Sequence, residues 1–316
     1  MIRDVTVTLE SALAASIGQD NAVVLEQFIN EVEDVNMNLK TAGLTMLHIA
    51  AKSGAINCAR LILDHQGDPN SVDYKGLLTP LHSVASSTKN SAELCKILLS
   101  NGANTNHGDT ESVIHTAVRE NNYEMVKYLV ENDVATEMAE TSLHTAAENN
   151  CLEILKLLLE KVYTDIDLPN SQEGNETALH IAAEAGYEDV VKELLSNGAN
   201  IRKVNNQHMT ALHLAAKNLH ATVIQVLLEH KSSEDNKMVN MADKNLSNIV
   251  DNRMVNMVDN QGRTALFVCT SSEGRGATKC MNILLRFGAD PDIQNQDGFT
   301  ALHVAAIGKE SVFSPQ

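Results

Sequence analysis

Aromatic residues are scarce: the 316 residues include five Tyr, five Phe and no Trp, 3% in all. Few rings means few platforms on which nucleobases could stack. Cations are also outnumbered, 24 Lys and Arg against 41 Asp and Glu for a net charge of −17, so the basic stripe that neutralises phosphates is missing. Nucleic acid is not expected as a partner, and the same carboxylate surplus is repelled by an anionic lipid surface. No apolar run approaches the roughly 18 residues that a membrane span requires, and Met1-Ile2-Arg3-Asp4 lacks the basic region and apolar core of a signal peptide. The chain reads as cytoplasmic, with no membrane contact of its own. Its five cysteines (58, 95, 151, 269 and 280) form no Cys-x-x-Cys pair and leave one over, which argues against a disulfide framework and a zinc ribbon. Each sits where a buried thiol is the default.

One word recurs instead. Thr-x-Leu-His stands intact at Thr45-Met46-Leu47-His48, Thr79-Pro80-Leu81-His82, Thr141-Ser142-Leu143-His144, Thr177-Ala178-Leu179-His180, Thr210-Ala211-Leu212-His213 and Thr300-Ala301-Leu302-His303. Degraded copies stand at Ser112-Val113-Ile114-His115 and Thr264-Ala265-Leu266-Phe267. Successive marks are 34, 33, 29, 36, 33, 54 and 36 residues apart, and a near-constant step of about 33 is the signature of stacked repeats.

Each copy carries the local chemistry of a turn, a short helix, a second helix and a loop. Thr or Ser is a good N-cap, and Pro80 sits where a missing amide proton costs nothing. Ala pairs follow (50–51, 146–147, 182–183, 215–216, 305–306), small enough to let a neighbouring helix approach closely. Apolar clusters such as Leu61-Ile62-Leu63, Ile97-Leu98-Leu99 and Leu157-Leu158-Leu159 mark the second helix. Three copies stop at Gly102-Ala103, Gly198-Ala199 and Gly288-Ala289, where Gly can take the left-handed C-cap conformation.

This series resembles the ankyrin repeat family, with eight copies over residues 41 to 308. The resemblance implies an all-α solenoid of stacked helix-turn-helix units with short β-hairpin fingers. The organisation expected is an N-terminal capping repeat (1–40), repeats one to six (41–230), a duplicated finger insertion (231–258), repeat seven with a half repeat eight (259–308) and an irregular tail (309–316). The third copy lacks the turn Gly and the Gly-Ala stop, and the second and seventh lengthen the segment between helices. The family assigns the motif histidines, His48, His82, His115, His144, His180, His213 and His303, a structural role, hydrogen-bonding backbone across the repeat. Metal binding by them is not expected, because equivalent residues on successive packed helices lie roughly 8–10 Å apart.

Nothing points to catalysis. Gly274-Arg275-Gly276-Ala277-Thr278-Lys279 lacks the Gly-Lys-Ser/Thr of a phosphate loop, and Glu184 with Glu188 has the spacing of a solvated helix face. No enzyme activity and no cofactor are expected. The resemblance instead implies a protein-binding scaffold or adaptor that uses a concave face and its fingers. The exposed position after the Ala pair is then Lys52, Ser86, Arg119, Glu148, Glu184, Lys217 and Ser271, a stripe with cations first, anions at the middle and a cation after. A partner with complementary zoning would be held in one register. The alternative is the N-terminal cytosolic region of a larger membrane protein, since such arrays resemble the ankyrin region of TRPA-type cation channels.

Two features stand outside the period. The 54-residue step holds Asp235-Asn236-Lys237-Met238-Val239-Asn240-Met241-Ala242-Asp243, which recurs as Asp251-Asn252-Arg253-Met254-Val255-Asn256-Met257-Val258-Asp259. It reads either as a tolerated loop insertion or as a Met-rich, adaptable contact segment. After Gly308 no Leu-Leu cluster follows, so the last inner helix is expected to lack a cover, leaving an end for self-association or further repeats.

Overall fold

The computed structural model describes residues 2–39, 42–106, 112–132, 134, 139–161, 165–170, 174–230, 254–272, 274 and 276–310. They divide into two compact units, residues 1–145 with 160–162 and residues 146–159 with 163–316. In the first, α1 (Ile2–Gly18), α3 (Met46–Ser53), α5 (Pro80–Ala85) and α7 (Val113–Arg119) are inner helices packed in succession. Behind them α2 (Ala22–Ile29), α4 (Ile56–Asp64), α6 (Ser91–Ser100) and α8 (Tyr123–Glu131) form the outer row, each against its own inner helix. Helices α9 (Ala139–Glu148) and α10 (Leu152–Lys161) run across the division between units.

The second unit repeats the scheme. Inner helices α11 (Ala178–Ala185), α13 (Ala211–Lys217), α15 (Ala265–Ser271) and α17 (Ala301–Glu310) pack in succession, with α12 (Glu188–Ser196), α14 (Ala221–Glu229) and α16 (Ala277–Arg286) outside. Helix α17 continues two residues into the stretch expected to be irregular.

Most of these helices are too short to persist alone in water, so packing holds them. The Ala pairs of α3, α11 and α13 are buried, as are Ile62, Leu98, Leu194, Ile224 and Leu284 of the outer row. The repeated Thr fixes where each inner helix starts. Thr45, Thr79, Thr177, Thr210 and Thr264 are N-caps with extended backbone. In α5, α11 and α13 the histidine three residues on closes a capping box, taking the place Glu or Gln usually holds. Such a cap contributes about 1 kcal/mol.

One cap departs from the sequence expectation. Helix α9 begins at Ala139, so Thr141 lies inside it, and its hydroxyl meets His115 Nε2 at 2.6 Å.

The corner before most outer helices holds a left-handed residue. Gly54 and Gly186 hold φ of +73° and +80°, while Asn121, Asn150 and Leu219 fill the corresponding corner at +53°, +56° and +61°. Glycine is required at 186 on a second count, since a Cβ there would stand 2.5 Å from His220 Nδ1.

The fingers are simpler than hairpins. Among the described residues they are single antiparallel bridges, Leu39 with Leu44, Asn170 with Glu176 and Val258 with Thr264. Side chains close the turns in place of a strand ladder. Asp259 Oδ1 accepts from the N–H groups of Gln261 and Arg263, both at 2.9 Å, and Asn205 Oδ1 accepts from those of Gln207 at 2.9 Å and Met209 at 3.0 Å.

Most of the insertion, including its first duplicated copy, lies outside the described residues, as does 311–316. The second copy supplies ordinary parts of the next repeat. Met254 and Val255 are buried, and Asn256 bonds the carbonyl of Gly288 at 3.2 Å and the N–H of Asp290 at 2.8 Å.

Candidate binding surface

The seven stripe positions lie at the C-terminal ends of inner helices, because the Ala pair faces the neighbouring helix and the next residue turns outward. In the first unit Lys52 is in the last turn of α3, Ser86 is the C-cap of α5, and Arg119 ends α7; all three are exposed. Arg119 Nε lies 3.5 Å from Glu120 Oε1, and Ser86 Oγ donates to the carbonyl of His82 at 3.2 Å. In the second unit Glu148 ends α9, Glu184 is in the last turn of α11, Lys217 ends α13 and Ser271 ends α15. Glu184 is half-exposed and the other three are exposed. Ser271 Oγ donates to Phe267 O at 2.9 Å.

Two features of the second unit were not read from the sequence. Lys217 Nζ stands 3.6 Å from Glu184 Oε1, so the cation following the two anions is partnered with one of them. A finger adds a third carboxylate: Glu148, Glu176 and Glu184 line one open groove of about 300 Å³ with Ile181, Ala185 and Asn218. Glu176 accepts from Asn205 Nδ2 of the next finger at 3.1 Å, which ties it to the scaffold.

Position within a helix makes the two stripe glutamates informative. The C-terminal end of a helix carries partial negative charge, so a cation there is stabilised and an anion disfavoured, each by about 0.3–1 kcal/mol. Lys52, Arg119 and Lys217 obey that preference, whereas Glu148 and Glu184 run against it. The groove combines three carboxylates with the apolar side chains of Ile181 and Ala185, a lining that suits a long cationic side chain with an apolar stem.

The motif histidines work behind this surface. The N–H of Thr177 donates to His180 Nδ1 at 3.2 Å, so that nitrogen is the acceptor, and Nε2 donates to the carbonyl of Met209 in the next finger at 3.1 Å. His48 bonds Thr45 and the carbonyl of Leu78 in the same way, and His213 bonds Thr210 and the carbonyl of Arg263. His82 also accepts from the N–H of its Thr, His115 bonds Ser112 and Thr141, and His144 is buried. His303 keeps the bonds to Thr300 yet is exposed. Burial depresses the pKa of His48 and His213 and takes His180 from 6.5 down to about 4, against the raising effect of the backbone carbonyls. These are neutral rings whose Nε2 is committed to a carbonyl.

The five cysteines are buried, and desolvation pushes their thiols up, to about 12 at Cys58, Cys95 and Cys269. They are poor nucleophiles at neutral pH. Among the described residues no helix is long and apolar enough to cross a membrane.

Comparison with known proteins agrees with the geometry. The model of the family described as "Ankyrin repeats (3 copies)" matches residues 11–109, 81–170, 163–240 and 236–313. This chain belongs to the ankyrin repeat family. Human transient receptor potential cation channel subfamily A member 1 is 32% identical over 154 residues, 48% of the chain and 12% of that protein. The E3 ubiquitin-protein ligase KEG of Arabidopsis thaliana is 26% identical over 307 residues, 93% of the chain and 15% of the ligase. The NF-kappa-B inhibitor cactus of Drosophila yakuba is 25% identical over 220 residues, 69% and 42% of the two. The chain thus spans less than half the length of each of these relatives. Among solved structures, the ankyrin repeat domain of human ASB11 superposes with a TM-score of 0.59 at 27% identity, over 70% of this chain and 97% of that one. The ankyrin fold of this chain is a protein-interaction module.

Proposed function

We propose that this ankyrin array is a non-enzymatic cytoplasmic adaptor or scaffold that holds partner proteins with its inner-helix ends and fingers. It uses no cofactor and takes no nucleic acid. The observation that carries this reading is the groove of the second unit, where Glu148 and Glu184 accept unfavourable helix-terminal positions and Glu176 joins them from a finger. Lys217 pairs with Glu184, and the carboxylate charge that remains in the groove suits a cationic side chain of a partner. In the first unit Lys52, Ser86 and Arg119 are the corresponding contact positions, with Lys217 and Ser271 extending the surface in the second.

The test is a charge reversal, Glu148→Lys with Glu184→Lys, assayed against a partner first recovered by proximity labelling and verified with the purified array. Affinity for that partner is expected to fall at least tenfold while the circular dichroism melt is retained, since exposed ion pairs such as Glu184 with Lys217 contribute only about 0–1 kcal/mol. Unchanged affinity would move the binding surface elsewhere.

A second reading is that the array is the N-terminal cytosolic region of a larger membrane protein. The match to a TRPA channel over 154 residues favours it. Full-length transcript sequencing distinguishes the two, because a channel's reading frame continues into membrane spans.

A further inference from the structure

The last described repeat ends in a surface unlike any inside the array. The Leu of the motif is at most 3% exposed at Leu47, Leu81, Leu143, Leu179, Leu212 and Leu266, yet Leu302 on α17 is 61% exposed. Phe299, in the finger before α17, is 42% exposed. Apolar exposure by itself names no occupant. The polar groups beside it do.

Interior junctions of the second unit draw on three recurring hydrogen bonds, although Phe267 replaces the histidine at the junction of α15 with α17. A motif histidine gives Nε2 to the carbonyl just before the next Thr, as His180 does to Met209 and His213 to Arg263. A finger carbonyl accepts from the next finger's N–H, as Gln207 does from Asn260 and Gln261 from Gln296, at 3.0 and 2.9 Å. An Asn or Asp in the loop after the outer helix accepts from a backbone N–H of the next such loop, as Asp167 does from Asn200 and Asn256 from Asp290. Carried one repeat on, the three groups are His303 Nε2, the carbonyl of Asp297 and the carboxylate of Asp292. Among the described residues none of the three has that partner: His303 bonds only through Nδ1 and its own N–H, with its ring edge-on to Phe299, and Asp292 engages only through its N–H.

We propose that this edge, formed by α17, its finger and the loop after α16, is a docking surface for one further ankyrin-type repeat from outside this chain. The occupant is specified by the valences it must satisfy. It brings a finger carbonyl to His303 Nε2, a finger N–H to the Asp297 carbonyl, a loop N–H to the Asp292 carboxylate and a small-residue inner helix over α17, with its outer helix row continuing that of α16. The interface would continue, unit for unit, the one already built between α13 and α15 and between α15 and α17. It is independent of the groove reading, because no groove residue takes part.

The test supplies such a unit in register. Residues 1–308 are followed by a copy of residues 186–230, which puts the copied Met209 carbonyl 29 residues beyond His303, the separation of His180 and Met209. Hydrogen exchange and thermal melts are compared for the chain and the fusion, each with and without His303→Gln. The expected result is that amide exchange across Thr300 to Ala306 slows at least tenfold in the fusion and that Tm rises. His303→Gln is expected to cost the fusion more than the chain, because only the fusion uses Nε2. Equal cost in both backgrounds, or a fusion in which those amides exchange as fast as before, overturns the proposal. Two measurements on the unfused chain stand whether or not the fusion folds. Strong protection across Thr300 to Ala306 in a dilute monomer means that the edge closes itself. A concentration-dependent dimer abolished by Leu302→Glu assigns the edge to a second copy. Either outcome overturns the proposal, and fast exchange in a monomer is the result expected.

Discussion

Acidification from pH 7 to 4.5 is the perturbation to which this ankyrin array is built to be sensitive. The cause is the set of neutral histidines buried at the repeat junctions. His180 is 1% exposed, and its pKa falls from 6.5 to about 4, with desolvation the leading cause. In the unfolded chain the ring protonates as pH falls through 6.5, whereas in the fold it stays neutral until about 4, so the unfolded state binds the extra proton. Stability from this group is therefore complete above pH 6.5 and is lost as pH drops toward 4. The gap between the two values corresponds to about 3 kcal/mol, at a slope approaching about 1.4 kcal/mol per pH unit near pH 5. His48 and His213 act in the same direction. Asp259 titrates in a different window. Burial works against its charge, but Arg263 and the N–H groups of Arg263 and Gln261 outweigh it and hold the carboxyl below 3.8. The assay is the urea midpoint at half-unit steps from pH 7.5 to 4.5, for the chain and for His180→Phe, a residue the chain itself carries at position 267. The variant is expected to be less stable at pH 7 and to lose about one proton's worth of slope. A flat profile in the parent, or an identical slope in the variant, would refute the reasoning.

Other consequences are as specific. Gly186→Ala forces a Cβ into a +80° corner 2.5 Å from His220 Nδ1 and is expected to cost about 1–3 kcal/mol by denaturant unfolding. Asn122→Ala removes the amide that reaches the carbonyls of Val84, Ala85 and Ser87 at 3.1, 3.0 and 2.6 Å; at about 1–3 kcal/mol per buried group left unsatisfied, it is expected to lower the urea midpoint of the first unit more than Gly186→Ala lowers that of the second. Excising residues 231–252 shortens the His213-to-Arg263 step from 50 residues to one near the 29 of His180 and Met209, and is expected to change stability by under about 1 kcal/mol. A truncated protein that fails to fold would make that segment part of the core.

The fold was legible because its signals are local. Thr at an N-cap, Ala on a packed face and Gly in a left-handed corner each act within one turn, and their recurrence needs no knowledge of neighbours. The corner between the two helices of the third repeat carries no such signal, since Asn121 serves there at +53°. Thr141 shows another: the 29-residue step leaves α9 to start before its Thr, and the hydroxyl is spent on a neighbouring histidine. The groove was half legible. Glu148 and Glu184 follow from their place after the Ala pair, but Glu176 enters through a finger whose length varies from copy to copy. The pairing of Glu184 with Lys217 depends on a 3.6 Å approach between helices 33 residues apart, which spacing alone does not encode.

The direction of the histidine bonds bears on how the chain is made. His48 reaches 30 residues forward, His180 29 and His213 50, each toward the C-terminus. A ribosome emits the chain from the other end, so a newly exposed inner helix waits for its acceptor. At about 5–20 residues per second the wait at His180 is on the order of 1–6 s, and at His213 it grows to about 3–10 s. Of these three, the repeat holding His213 stays incomplete longest during synthesis, and hence offers a chaperone apolar surface for the greatest time.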